Sequence, residues 1–129
     1  MQHSNKPHLL FALFLFFTSL SLSSLAADAT KGKTIFEANC TSCHKLGAVL
    51  VGPDLTGVKS RFEGDIKSII AFVHNPKSEI DKGKGEPSRA WSKFQPVLMP
   101  GQPLTDEEIT DVIEYVDAGA RPAASATAN

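Results

Sequence analysis

The motif C-T-S-C-H at residues 40–44 constrains this chain more than any other feature of its sequence. It holds both cysteines of the 129-residue chain and follows them at once with a histidine. Two cysteines separated by two residues are typical of a redox disulfide, of half a zinc site, or of covalent haem attachment. The rest of the sequence has to distinguish these three chemistries.

Haem attachment accounts for every residue of the motif. A zinc site needs more protein ligands than we find, and the adjacent Cys43 and His44 cannot easily reach one tetrahedral centre. A disulfide-exchange centre is expected beside a βαβ pattern, which the sequence lacks. In contrast, Cys40 and Cys43 can each bond one vinyl group of the same porphyrin, and His44 can then provide an imidazole ligand to the iron. Thiol–disulfide exchange is kept as the weaker alternative.

Residues 1–26 have the layout of a secretory signal peptide. Lys6 precedes an unbroken apolar run at residues 9–17, and small residues follow at Ala26 and Ala27. An uncleaved membrane anchor is the alternative, but the run is shorter than the ~20 residues that a spanning helix needs. We therefore expect cleavage after Ala26 and a periplasmic protein.

The charge of the remaining chain argues against a nucleic-acid partner. All 14 Asp and Glu residues lie after the signal peptide, together with all but one of the 13 Lys and Arg residues. A nucleic-acid-binding protein would show a basic footprint instead.

Apolar periodicity and capping residues predict helices and no strand. A first helix is expected over residues 28–39 with Thr30 as its cap. A second is expected from Asp65 to the residues before Pro76, because proline disfavours helix in the residue that precedes it. A short helix is expected from Pro87.

The last helix has the clearest signals. Thr105 and Glu108 form a capping box, and Gly119 supplies a C-terminal stop. Between them lies an apolar stripe at helical spacing: Ile109, Val112, Ile113 and Val116. Residues 45–64 and 77–86 are predicted to be loops, and loops of this length are expected to wrap a bound group. We predict one all-α domain over residues 27–120 and a disordered tail over residues 121–129.

One methionine remains after removal of the signal peptide, and it is the candidate for a second axial ligand. Met99 lies in a segment bounded by Pro96 and Pro103, which restrict its backbone. Known haem ligand sets pair histidine with methionine or use histidine alone, so His74 is the rival. An iron left with an open position would instead make the chain a haem enzyme or a ligand sensor.

The chain resembles the class I c-type cytochromes, in particular the small bacterial monohaem members, over roughly residues 29–120. The residues that carry the resemblance are Gly32 and Phe36, C-T-S-C-H at residues 40–44, G-P-D-L-T-G-V at residues 52–58, Met99-Pro100, and Tyr115 in the last helix. The resemblance implies the cytochrome c fold, in which three to five helices and long loops wrap one covalently bound haem.

The resemblance also implies roles for single residues. Cys40 and Cys43 would form the two thioethers of haem c, and His44 and Met99 would be the axial ligands. The Pro53 carbonyl would accept a hydrogen bond from the His44 ring, which orients the ligand.

Two further roles follow from the same family pattern. Leu55 would pack on the haem face, and Arg61 would lie near a haem propionate. The sequence departs from the pattern over residues 75–98, so Trp91 is expected to pack in the core rather than to contact a propionate.

The function implied is that of a one-electron carrier, not an enzyme. The haem iron would cycle between ferric and ferrous in an extracytoplasmic electron-transfer chain such as a respiratory chain. Its partners would be redox proteins: an oxidase, a quinol-oxidising complex, a reductase or a dehydrogenase, with transient docking to a membrane complex. A haem enzyme or ligand sensor with a displaceable sixth ligand is the alternative.

Overall fold

The computed structural model describes residues 26–120. The predicted tail and, except for its last residue, the predicted signal peptide lie outside the described residues. Within the described range the chain is helical and has no strand. The helices are α1 (Ala29–Asn39), α2 (Val58–Arg61), α3 (Ile66–His74), α4 (Pro76–Asp81), α5 (Gly85–Phe94) and α6 (Asp106–Ala120). None of these helices has the length and apolar character needed to cross a membrane.

Helix α1 begins at Ala29, one residue before the predicted cap Thr30. The Asp28 carboxylate, not Thr30, caps it, since Asp28 accepts hydrogen bonds from the backbone amides of Thr30 at 2.9 Å and Lys31 at 3.2 Å. These bonds, with the Lys31 amide contributing most, hold the pKa of Asp28 below its ordinary value. The prediction of Thr30 as the cap was wrong because an aspartate preceding it reaches the same free amides.

Helix α1 packs against α6 through a close backbone contact. Gly32 and Phe36 are buried on this face, and the Phe36 and Tyr115 rings meet with their centroids 5.5 Å apart. A Cβ atom on Gly32 would overlap the backbone carbonyl of Asp111. The absence of a side chain at Gly32 therefore sets the distance between the two helices.

Helix α3 supplies the centre of a small apolar core. Asp65 caps it as predicted, by accepting from the Ser68 amide at 3.1 Å. Ile69 is buried against Ile109 and Ile113 of α6. Partly buried side chains pack around these three: Phe62, Ile66, Ile70, Val73 and Leu104.

The segment after α3 differs from the predicted loop. Pro76 stops α3 but also begins α4, because proline is well suited to the first position of a helix. The Asn75 side chain caps this new helix by accepting from the Ser78 amide at 3.2 Å. Helix α5 begins at Gly85, two residues before the predicted start at Pro87.

The capping box of α6 forms as predicted. The Thr105 amide donates to the Glu108 carboxylate at 2.8 Å, and the Glu108 amide donates to the Thr105 hydroxyl at 3.2 Å. Two turns further on, the buried Asp111 accepts a hydrogen bond from the Asp28 amide at 2.6 Å. The first and last helices are thus joined by a polar contact as well as by apolar packing.

We predict that Gly32→Ala lowers the free energy of unfolding by about 1–3 kcal/mol, because the new methyl group must push α1 away from the α6 backbone. The measurement is equilibrium denaturation in urea. Gly119→Ala is the matched control, since a Cβ there meets only the terminal methyl group of Leu46. An effect of Gly32→Ala no larger than that of the control would contradict the close contact.

Candidate functional site

The helices surround a cleft with a volume of about 210 Å³. Its walls come from the end of α1, the loop before α2, the five helices α2 to α6, and the segment between α5 and α6. Every site residue predicted from the sequence lines this one cleft: Cys40, Cys43, His44, Pro53, Leu55, Arg61 and Met99.

The cysteine motif continues the turn at the end of α1. The Cys40 amide donates to the Phe36 carbonyl at 2.9 Å, and the Cys40 carbonyl accepts from the amides of Cys43 at 3.1 Å and His44 at 2.8 Å. Both cysteines are free thiols and both line the cleft. Burial raises the pKa of the Cys40 thiol above its ordinary value. The local backbone therefore presents two thiols and an imidazole to the same space.

The His44 ring is fixed by the loop that follows it. Its Nδ1 atom lies 2.9 Å from the Pro53 carbonyl oxygen. A carbonyl oxygen can only accept, so Nδ1 carries the proton and Nε2 is left with its lone pair. In the neutral ring, this tautomer leaves Nε2 available to bind a metal.

The Gly52 backbone packs directly against the His44 ring, a contact that the sequence did not predict. A Cβ atom at Gly52 would stand 2.6 Å from His44 Cε1 and 3.0 Å from Nδ1. The Gly52 amide also donates to the Cys43 carbonyl at 2.8 Å. The signal available in the sequence was a glycine directly before the predicted acceptor, Pro53.

Asp54 holds the next part of this loop. Its carboxylate accepts from the amides of Gly47 and Thr56, each at 2.8 Å. These bonds, led by the one from Thr56, hold the pKa of Asp54 below its ordinary value. The loop between the motif and α2 is thus closed on itself around an ionised carboxylate.

Arg61 joins this loop to α5. Its guanidinium donates to the carbonyls of Thr56 at 2.6 Å and Asp54 at 2.8 Å, and to the Glu86 carboxylate at 3.0 Å. Arg89 binds the second oxygen of Glu86 at 3.1 Å. Three of the five guanidinium donors are used in this way, and two take no part in these bonds. The sequence reasoning missed Glu86, because its partner Arg61 lies 25 positions away.

The structure separates the two candidates for a second axial ligand. Met99 lines the cleft and is half-buried. His74 is absent from the cleft lining, and its Nε2 atom lies 2.8 Å from an Asp106 carboxylate oxygen. Trp91, expected in the core, lines the cleft instead.

The lining of the cleft fits a haem. Its walls are predominantly apolar, with Leu55, Phe72 and Trp91 among them, which suits a large planar porphyrin. The two thiols and the His44 imidazole stand on one turn. In contrast, no group of three or more His, Cys, Asp or Glu side chains suited to holding a metal ion occurs in the described part of the chain. This donor set suits covalent haem c better than zinc.

We predict that Gly52→Ala in the haem-loaded protein displaces the His44 ring and weakens its hydrogen bond to Pro53. The free energy of unfolding should fall by about 1–3 kcal/mol, since the added methyl group has no free space. The redox potential should move as well, because that hydrogen bond tunes the ligand. Gly119→Ala should leave the redox potential unchanged and should not lower the free energy of unfolding by a comparable amount. A Gly52→Ala protein with unchanged stability and potential would argue against the contact.

Comparisons with known proteins agree with this geometry. The family model "Cytochrome c" matches residues 29–119. A cytochrome c6 from Rippkaea orientalis is 36% identical over 114 residues, covering 87% of this chain and 90% of the relative. A cytochrome c-555 from Prosthecochloris aestuarii is 27% identical over 89 residues, covering 69% of this chain and 85% of the relative.

A solved structure supports the same fold. The cytochrome c from Rhodothermus marinus superimposes with a TM-score of 0.61 at 23% identity, covering 92% of this chain and 86% of that one. This similarity confirms the predicted all-α cytochrome c fold. Together with the family match, it identifies the chain as a member of the cytochrome c family. The chain is accordingly a haem-carrying electron carrier and not an enzyme.

Proposed function

We propose that this protein is an extracytoplasmic one-electron carrier whose haem is attached through Cys40 and Cys43 and ligated by His44 and Met99. When bound, the haem supplies one-electron chemistry, since its iron alternates between ferric and ferrous. The observation that carries the proposal is the single cleft lined by both thiols, the imidazole and the thioether.

The contribution of His44 is to present Nε2 in one orientation. Its Nδ1–H donates to the Pro53 carbonyl and increases the electron density of the ring. Because Gly52 packs against the ring face, the imidazole has little freedom to tilt. Little rearrangement is then needed when the charge of the site changes.

Met99 would supply the second protein ligand of the haem iron. With His44 and Met99 both holding the iron, substrates and small ligands would have no open place to bind, which favours a carrier over an enzyme or sensor. A thioether ligand in an apolar cleft would stabilise the less charged ferrous form and raise the potential. Leu55 would contribute by packing on the haem and excluding water.

The role proposed for Arg61 is to balance charge at the edge of the cleft. Two of its donors stay available beside the three already used, and a haem propionate is a suitable acceptor for them. Glu86 and two backbone carbonyls hold the guanidinium in place for this contact.

We place the protein in the periplasm, after removal of residues 1–26 as a signal peptide. The sequence supports this through its charged start, short apolar run and small residues at Ala26 and Ala27. A respiratory electron-transfer chain is the setting we infer.

The partners we infer are redox proteins that dock where the cleft opens. Exposed apolar side chains occur in two segments that each contribute to the cleft lining through Val51, or through Val97 and Leu98. They are Val49, Leu50 and Val51 in one segment and Val97 and Leu98 in the other. Lys45 follows the axial histidine, and Lys93 precedes Phe94, which lines the cleft; both lysines are exposed. An apolar surface with flanking positive charge suits transient docking to an acidic partner.

We predict that Met99→Ala keeps the attached haem and the helical fold but lowers the redox potential substantially, because water or another weak ligand replaces the thioether. The weak red absorption band that arises from thioether-to-ferric-iron charge transfer should disappear. Visible spectroscopy and equilibrium redox titration check both effects. His74→Ala is the control and should leave the band in place. An unchanged spectrum and potential in Met99→Ala would refute the ligand assignment.

We also predict that electron transfer to an acidic partner slows as ionic strength rises from about 0.01 to about 0.15 M, because salt screens the steering field. The double variant Lys45→Gln, Lys93→Gln should flatten this dependence. The matched control is Lys31→Gln, Lys33→Gln, which removes the same charge from α1, where Lys31 borders α6 rather than the cleft. A second-order rate that does not depend on salt would contradict the docking surface.

A further inference from the structure

We propose that Gly101 is a positioning residue for Met99, a role that rests on the proposed axial function of that methionine. Gly101 follows Met99 by two positions, in the segment that connects α5 to α6. Its contribution is the absence of a side chain, which lets this segment lie directly on the carbonyl end of α3.

The contact between the segment and α3 is made by backbone atoms. A helix leaves its last carbonyl groups without partners inside the helix. The Gln102 amide satisfies one of these by donating to the Val73 carbonyl at 2.9 Å. Beside it, a Cβ atom on Gly101 would overlap the His74 carbonyl oxygen and come within 3.8 Å of Pro76.

Contacts on both sides of Gly101 fix the same segment. The Gln102 side chain donates to the Pro100 carbonyl at 3.0 Å. Leu104 packs on the core formed by α3 and α6. The His74 ring lies 2.8 Å from Asp106 at the start of α6. The segment therefore cannot move away from α3 without disturbing several contacts.

A side chain at position 101 would displace Met99. A carbon atom and a carbonyl oxygen come no closer than about 3.3–3.6 Å, so the segment would have to withdraw from α3 by roughly 1 Å. Metal–ligand distances tolerate only about 0.2 Å. Because Met99 is two residues away on the same short segment, this withdrawal would weaken the bond of its thioether to the iron.

The test is a titration of the ferric, haem-loaded protein with imidazole, which must displace the thioether in order to bind. The apparent Kd, followed by visible spectroscopy, is measured in the wild type, Gly101→Ala, Met99→Ala and the double variant. We expect Gly101→Ala to tighten imidazole binding about tenfold or more in the presence of Met99. In the Met99→Ala background the same change should alter the Kd by less than about twofold, since no thioether bond is left to weaken.

The outcomes separate this inference from the proposed function. If Met99→Ala tightens imidazole binding but Gly101→Ala does not, the ligand assignment stands and the positioning role is refuted. If Gly101→Ala has the same effect in both backgrounds, it changes only access to the iron, and the role is again refuted. If Met99→Ala itself has no effect, the axial assignment fails and the inference fails with it.

Two further variants keep the test sound. Gly119→Ala, a glycine-to-alanine change near the end of α6, should leave the Kd unchanged. If Gly101→Ala protein does not accumulate, Gln102→Pro replaces it, since proline removes the amide that donates to Val73. Tighter imidazole binding by Gln102→Pro, only in the presence of Met99, supports the positioning role, and unchanged binding refutes it.

Discussion

The apolar cleft is the constraint on which the rest of this structure depends. Between residues 26 and 119, the buried hydrophobic side chains of the core are few: Phe36, Ile69, Ile109, Ile113 and Val116. Many other apolar side chains face the cleft instead of each other. A chain of about 100 residues buries little surface by itself, so a bound apolar group has to complete the core. Covalent attachment would keep that group in place.

At three glycines the backbone lies so close to another part of the protein that a side chain would not fit. Gly32 sets the distance between α1 and α6, and α1 ends at the cysteine motif. Gly52 supports the face of the His44 ring, and Gly101 brings the segment after Met99 against α3. In each case a contact of close-packed atoms, rather than a flexible side chain, determines where a group of the site lies.

Charged side chains stabilise the loop between the cysteine motif and α2. The Asp54 carboxylate accepts hydrogen bonds from amides of its own loop. Arg61 donates both to a carbonyl of that loop and to Glu86 on α5, and so links the two. Glu86 is shared with Arg89, so two cations balance one carboxylate. The network keeps polar atoms satisfied beside an apolar space, where an unpaired group would be costly. It also turns the loop between the motif and α2 into a rigid wall of the site.

Local patterns in the sequence were enough to predict the cysteine motif's chemistry and several helix boundaries. The cysteine motif, the Asp65 cap and the capping box of Thr105 and Glu108 each depend on contacts within three or four positions, which a sequence displays directly. The resemblance over residues 29–120 implied the fold and the seven predicted site residues, all of which line the cleft. Errors at this level were also local: Asp28 competed with Thr30 as a cap, and Pro76 both ended one helix and began the next.

Tertiary structure alone decided how distant segments meet. The sequence contains no sign that Arg61 pairs with Glu86, 25 positions away, or that His74 pairs with Asp106, 32 positions away. It does not show that the segment after Met99 rests on the end of α3, or that Trp91 turns to the cleft. The physical reason is that helical period and capping act over one or two turns, whereas the positions of His44 and Met99 depend on which backbones can approach each other in three dimensions.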